Sequence, residues 1–327
     1  MVAQKKGETA LKSKNNVMDS QIMTVLVILF ALIIFFSFMS NGFFSQKNLY
    51  NILQQVAVIG IITVAQTFVI ITSGIDLSQG AIIGLTTVIS AMCMVDLKLP
   101  IPIAVIAGLL VGIGIGAANG VLIAHLGLPA FIATLGTMSV TEAIALLIKG
   151  GNDIYNLPNA ISEFGRQGLG EILPNIAIIM IIIVIAMHIL LKKTSFGRYT
   201  YAVGSNATAA KFSGVKVKRV LFKTYLLAGL LCGVAGIIMM CRMNGGVAIA
   251  GKGYQMNSIS AVVIGGGSLF GGEGSIVGAI IGAFIMVILS NGLQIMGISS
   301  YWQQFITGIV LVSAVLFDTL RRKKTME

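Results

Sequence analysis

Charge is what this sequence most conspicuously lacks. Only 10% of its 327 residues are Asp, Glu, Lys or Arg, while 56% are hydrophobic and the mean hydropathy is +0.96. A soluble domain carries about 25% charged residues, so this chain cannot cover itself with a water-loving surface. Histidine is nearly absent: His125 and His188 are the only two, each at the end of an apolar run and without metal-ligand company. Cysteine is scarce and odd in number. Cys93, Cys232 and Cys241 lie in or near apolar runs and read as packing residues, not as a disulfide framework or metal site. No serine stands in a nucleophile elbow, no carboxylate pair has acid–base spacing, and nothing matches G-x-x-x-x-G-K-[ST]. The expectation is a chain with no catalytic, cofactor-binding or metal residues and no ATP-hydrolysing loop of its own.

What fills the sequence instead is apolar runs. A spanning helix needs about 20 mainly apolar residues, and candidate spans fall near 21–40, 54–72, 79–96, 100–124, 130–148, 175–191, 220–240, 257–270, 275–293 and 302–318. With the N-terminus inside, 16 of the 22 basic residues lie in cytoplasmic segments or at their edges, as the positive-inside rule requires. Lys47, Lys98, Lys149, Arg166, Arg242 and Lys252 fall on the outer side. The net charge of +11 therefore reflects cytoplasmic flanks and not a nucleic-acid surface. "MVAQKKGETALKSKNN" stays polar and basic for too long to be a secretory leader. The expected organisation is a tail over 1–20, a transmembrane domain over 21–318 and a second tail over 319–327. The domain carries a periplasmic loop over 149–175 and a cytoplasmic one over 192–219.

Ten spans divide into two inverted five-helix repeats, a common transporter plan. A shift of 172 residues lays "VIAGLLVGIGIGAANG" (105–120) on "VGAIIGAFIMVILSNG" (277–292), with Asn119-Gly120 on Asn291-Gly292. The fold class is all-α and polytopic.

Polar interruptions mark the places where chemistry can be. In "TSGIDLSQG" (72–80), Gly74 permits a turn and Asp76 or Ser78 can cap the next helix; the alternative is that Asp76 bonds the cargo. Glu142 is the only acid well inside a span, thin support for ion coupling. "GGGSLFGGEGSIVG" (265–278) is glycine-dense, which suits close helix approach and a tight turn better than a nucleotide. In the basic loop, "SNATAAKFSG" reads as a short helix, with Ser205 or Asn206 as N-cap and Gly214 as its stop. With the bulky Phe212 it suits a docking segment for a separate motor better than a solvated linker.

Several of these pieces in order carry a resemblance: "TSGIDLSQG", "SFGRYTYAVGSNATAAKFSGVKV" (195–217), "GYQMNSISAVVIGGGSLFGGEGSIVG" (253–278) and "SNGLQIMGISSYWQ" (290–303). The chain resembles the membrane permease subunit of bacterial ABC importers for monosaccharides, from about Phe43 to Asp318. The resemblance implies a type II ABC importer-like fold and a homodimer of permease chains in the inner membrane. It implies a cytoplasmic ATPase, commonly of tandem fused domains, that binds ATP and Mg, and a periplasmic or lipid-anchored sugar-binding protein. Its coupling segment maps onto Gly204, Ser205, Asn206, Ala207, Ala209, Ala210, Phe212, Ser213 and Gly214.

For the sugar path, the polar groups on apolar spans are candidates: Asp76, Ser78, Asn119, Thr134, Thr137, Asn257, Ser268 and Asn291. Each could equally bond a neighbouring helix. Phe131 is placed to stack on or gate the sugar, and Leu128 and Pro129 complete a candidate gate in "HLGLPAF" (125–131). Relatives commonly carry "GYELDAIAA" where this chain reads "GYQMNSISA", so Gln255 and Asn257 replace acids, and Gln79 stands where a small apolar residue is usual. A permease for nucleosides or another small polar metabolite differs only in cargo; an ion-coupled secondary transporter is the other alternative.

Overall fold

The computed structural model describes residues 22–170 and 172–326; the expected tail over 1–20 lies outside them. The first half contains α1 (Ile22–Met39), α2 (Gln46–Ile71), α3 (Gln79–Val95), α4 (Ile101–Gly120, extended by a π turn over Val121–His125) and α5 (Ala130–Ile148). A short α6 (Asn159–Arg166) and a two-stranded hairpin, β1 (Gly168–Leu169) with β2 (Leu173–Pro174), close one end of the bundle. Then follow α7 (Asn175–Lys193), α8 (Ser195–Ser205), α9 (Ala207–Phe212), α10 (Val217–Met243), α11 (Tyr254–Ile264), α12 (Ile276–Ile295) and α13 (Ser300–Met326). The two ends of the bundle are named below by what they carry, the hairpin end and the α9 end.

Among the described residues, eight helices are long and apolar enough to cross a membrane: α1, α2, α4 with its π turn, α5, α7, α10, α12 and α13 as far as Leu320. The expected span over 257–270 is instead the 11-residue α11. At about 1.5 Å per residue that is too short to cross the hydrocarbon layer. The glycines at 265–267 end it, with Gly266 at φ 89. Helix α13 also continues through most of the expected 319–327 tail, to Met326.

Burial sorts the helices. Residues of α2 and α10 are mostly enclosed, whereas α1, α4, α5, α7 and α13 turn apolar side chains such as Phe38, Leu110, Ile132, Ile182 and Phe317 outward. An outward apolar surface is what lipid accepts and water does not. All five prolines stand at helix starts: Pro100, Pro129, Pro158 and Pro174 at the N-cap positions of α4, α5, α6 and α7, and Pro102 within the first turn of α4. A missing N–H costs nothing there. The helices that break inside the bundle therefore break without proline.

Among the described residues there are two such breaks. The first follows α2: Ser73 takes the left-handed conformation (φ 62), and the chain turns back into the bundle to start α3 at Gln79. The expectation put the turn on Gly74. That glycine is instead required for close approach, because a Cβ there would collide with the Tyr225 hydroxyl of α10. The second break follows α10: Asn244 is left-handed (φ 53), and a string of turns runs to Gly253 (φ 86) before α11 begins.

The halves are held together by backbone contact. Helices α4 and α10 cross where Gly112 and Gly116 meet Gly229, so close that a Cβ on any of these three would strike the partner's backbone. Small residues at four-residue spacing are how membrane helices pack this tightly. Gly229→Leu should cost at least about 3 kcal/mol through overpacking. The expected readout is loss of the monodisperse peak in detergent size exclusion. Gly114→Leu, on the open side of α4, should leave that peak in place.

Candidate translocation path and docking segment

Asp76 is 1% exposed, and its burial is compensated locally. Its Oδ1 accepts from the Ser78 amide (2.9 Å) and the Ser78 hydroxyl (2.6 Å). Ser78 occupies the N-cap position of α3 but makes no side-chain cap bond, because its hydroxyl is committed to Asp76. The expectation that one of these two caps α3 thus becomes a turn closed by the carboxylate upon itself. The Asn119 amide on α4 donates to Ser78 Oγ (2.9 Å), and Thr137 on α5 donates to Asn119 Oδ1 (2.7 Å). Thr134 donates to the Ile75 carbonyl (3.1 Å). Five residues chosen from sequence therefore converge, four of them in one hydrogen-bonded chain linking the first break to α4 and α5.

A second set joins the two breaks. Ser258 on α11 donates to Gln79 Oε1 (2.8 Å), and Gly80 meets Gly251 backbone to backbone. Gln255 is buried beside Gly80, with its amide 3.9 Å from the Met138 sulfur of α5. The departures at Gln79 and Gln255 are thus packing neighbours. Asn257 is half-buried and makes no side-chain hydrogen bond among the described residues.

The remaining candidates lie elsewhere. Ser268 donates to Asp318 Oδ2 (3.1 Å), which also receives the Leu269 amide (3.2 Å), in the loop at the α9 end. Asn291 exchanges two bonds with Asn48 (3.0 and 2.9 Å) near the hairpin end. Neither joins the Asp76 layer. Leu128, Pro129 and Phe131 are exposed at the start of α5, Phe131 by 53%. Asn48 and Asp318 were missed: Asp318 is a lone acid among apolar neighbours in "VLFDTL", which is the signal that could have found it, whereas Asn48 follows the polar "SQK" and carries no such signal.

At the α9 end, Asn206 caps α9 by accepting from the Ala209 amide (2.9 Å). Ser205 is the last residue of α8, Ser213 the C-cap of α9, and Gly214 the left-handed stop (φ 84). Phe212 is 87% exposed, and Ala207 and Ala209 are exposed with it. Gly204 and Ala210 face inward. Gly204 lies against the Ile71 carbonyl, and Ala210 packs with Val203 and Val220. This corner is tied to the first break. The Ser73 hydroxyl lies 3.1 Å from the Gly204 carbonyl and 2.9 Å from that of Phe270, and the Gly272 amide donates to Ile71 O (2.9 Å). The Tyr201 hydroxyl donates to Gly274 O (2.7 Å). Among the described residues no group of His, Cys, Asp and Glu could hold a metal, and the three cysteines are free and buried.

Eight helices among the described residues that are long and apolar enough to span, packed around polar breaks, define a multi-pass membrane protein. A family model described as the permease component of the branched-chain amino acid transport system matches residues 48–315, and the chain belongs to that family. It is 40% identical over 308 residues to a ribose import permease of Escherichia coli K12, covering 93% of this chain and 95% of that one. A ribose import permease of Bacillus subtilis is 43% identical over 299 residues, 91% of each chain. A fructose import permease of Rhizobium meliloti is 39% identical over 306 residues, 91% of this chain and 85% of its own. No solved structure matches.

The Asp76 layer should be structural in the first instance. Asn119→Leu removes the donor to Ser78 Oγ and the acceptor of the Thr137 hydroxyl, two buried bonds, at a cost of about 1–3 kcal/mol. The expected outcome is a lowered unfolding temperature in detergent, while Thr134→Val lowers it less.

Proposed function

We propose that this chain is the transmembrane permease subunit of an ATP-driven importer for a monosaccharide, a pentose or hexose. In this reading two identical chains enclose the path in a bacterial cytoplasmic membrane, with both termini in the cytoplasm. A separate ATPase binds ATP and Mg, and a sugar-binding protein delivers cargo from outside. Ribose and fructose import permeases more than 90% covered on this chain supply the cargo class.

The observation that carries the motor side is the corner at α8 and α9. A capped helix presents Phe212 to solvent while its stem is bonded to the end of α2, where the chain turns back toward Asp76. Force applied at α9 reaches the first break through Gly204, Ser73 and Gly272. Closure of an ATPase pair on two such segments would move them as rigid pieces, the kind of rocking that alternates access.

Helix bounds support two inverted repeats. Adding 172 to α2 (46–71) gives 218–243, against α10 at 217–243. The starts of α3, α4 and α5 (79, 101, 130) become 251, 273 and 302, against α11, α12 and α13 at 254, 276 and 300. Both halves have a long helix, a left-handed stop and a shorter helix restarted inside the bundle. Counting α3 and α11 as partners in this plan gives the expected ten elements.

The test is co-purification with the ATPase encoded beside this chain's gene, together with uptake of radiolabelled ribose, xylose and fructose. Phe212→Asp should abolish both ATPase association and uptake. Full uptake in that variant, or uptake abolished by an uncoupler and indifferent to loss of the ATPase, would overturn the reading.

A further inference from the structure

Lys252 lies in the turns between α10 and α11, exposed and without an ion pair; among the described residues only Lys149 and Asp96 form one. Sequence alone counts it with the outer-loop cations. Its contacts place it far deeper. Gly246 packs on Thr87 and Ala91 of α3, and the Val247 amide and carbonyl both bond the Thr87 hydroxyl (3.0 and 2.9 Å). The Ala248 carbonyl then meets Gly84, and Gly251 meets Gly80. The segment thus descends along α3 to its first turn.

Gly80 is fifteen residues from Val95 at the hairpin end, about 22 Å by helical rise. In the other direction α11 continues ten residues from Tyr254 to Ile264, about 15 Å, before Gly265 meets Gly278 near the start of α12. The four-carbon stem of a lysine spans neither distance. An unpaired ammonium held at that depth does not face hydrocarbon; it faces a bundle interior or a water-filled cavity. Nearby on α11 is Asn257, half-buried and without a side-chain bond. Beside Gln255 is Met138, and one turn along the same face of α5 is the half-buried Glu142. A cation, an amide and a carboxylate supply both donors and acceptors, and a neutral polyhydroxylated cargo needs both.

We propose that Lys252 lines a water-filled path at mid-depth and donates hydrogen bonds to hydroxyl oxygens of the passing monosaccharide, with Asn257 and Glu142 supplying acceptors. This rests on the importer function proposed above.

The test uses the full complex in proteoliposomes. Lys252→Cys is exposed to a small charged thiol reagent, with the wild type, whose three cysteines are buried, as background. The expected result is labelling above background that slows several-fold during turnover with the transported sugar. Lys252→Gln should lower the uptake rate about tenfold or more, the loss expected for one bond to a charged group, and Lys252→Arg should restore most of it. Absence of labelling would place Lys252 in a dry contact and overturn the proposal. So would labelling indifferent to sugar together with uptake within about twofold of wild type in Lys252→Gln, less than one such bond is worth. Asn257→Cys repeats the labelling if Lys252→Cys fails to assemble. A wild-type complex that imports none of ribose, xylose and fructose overturns the importer reading itself, before any variant is made.

Discussion

Backbone-to-backbone contact through glycine is the constraint on which the rest of this structure depends. Without water in the bilayer core, every interrupted helix leaves amides and carbonyls that must find protein partners. A chain that breaks two helices inside its own bundle therefore needs neighbours that come very close. Gly80 and Gly251 meet directly between the two breaks, and Gly204 reaches the Ile71 carbonyl where α2 ends. The crossing of α4 on α10 at Gly112 and Gly229 holds the two halves near enough for these contacts to exist. Ordinary side chains at those points would separate the helices and leave the broken ends unsatisfied.

Once the breaks are tolerated, they set where charge can sit. Asp76 reaches the interior because the turn that buries it also supplies the Ser78 amide and hydroxyl. Asn119 and Thr137 then extend that compensation to two further helices. Lys252 reaches a similar region from the other half and has no such partners. The two charges are therefore unlike in kind: one is spent on holding the first break together, and the other remains available.

The class of protein was legible because it depends on sums. Scarce charge, long apolar runs and the lopsided placement of Lys and Arg need no knowledge of contacts. The α9 segment was legible for a local reason, since Asn206, two alanines and Gly214 specify a capped short helix whatever surrounds it. Depth was not legible. A hydropathy window averages across "NGGVAIAGKGYQMNSIS" and hides the fact that the chain there descends beside α3 before it becomes helical. Nor could sequence pair Ser78 with Asn119 and Thr137, or Asn291 with Asn48, because those meetings follow from helix crossings set by distant glycines. Ser268 and Asn291 looked like path residues because a polar residue on an apolar span announces a partner but not which one, and their partners proved to be Asp318 and Asn48.

The inverted arrangement gives the breaks a mechanical consequence. On the proposed reading only the first break is tied to the α9 corner, through Ser73, Gly204 and Gly272, while the second is reached through α3, Gln79 and Gly251. A displacement at α9 therefore arrives at the first break directly and at the second only through the contact between them. Because Ser258 bonds Gln79 and Gly80 abuts Gly251, α11 must follow the start of α3. Asp76 is bonded to Ser78 at the N-cap of α3, so its turn travels with the start of that helix, and Lys252 and Asn257 follow through Gly251 and Ser258. On this reading the two breaks shift as one coupled unit, and what changes between inward and outward openings is the position of that unit against the α4 and α5 groups, Asn119 and Thr137, that hold it.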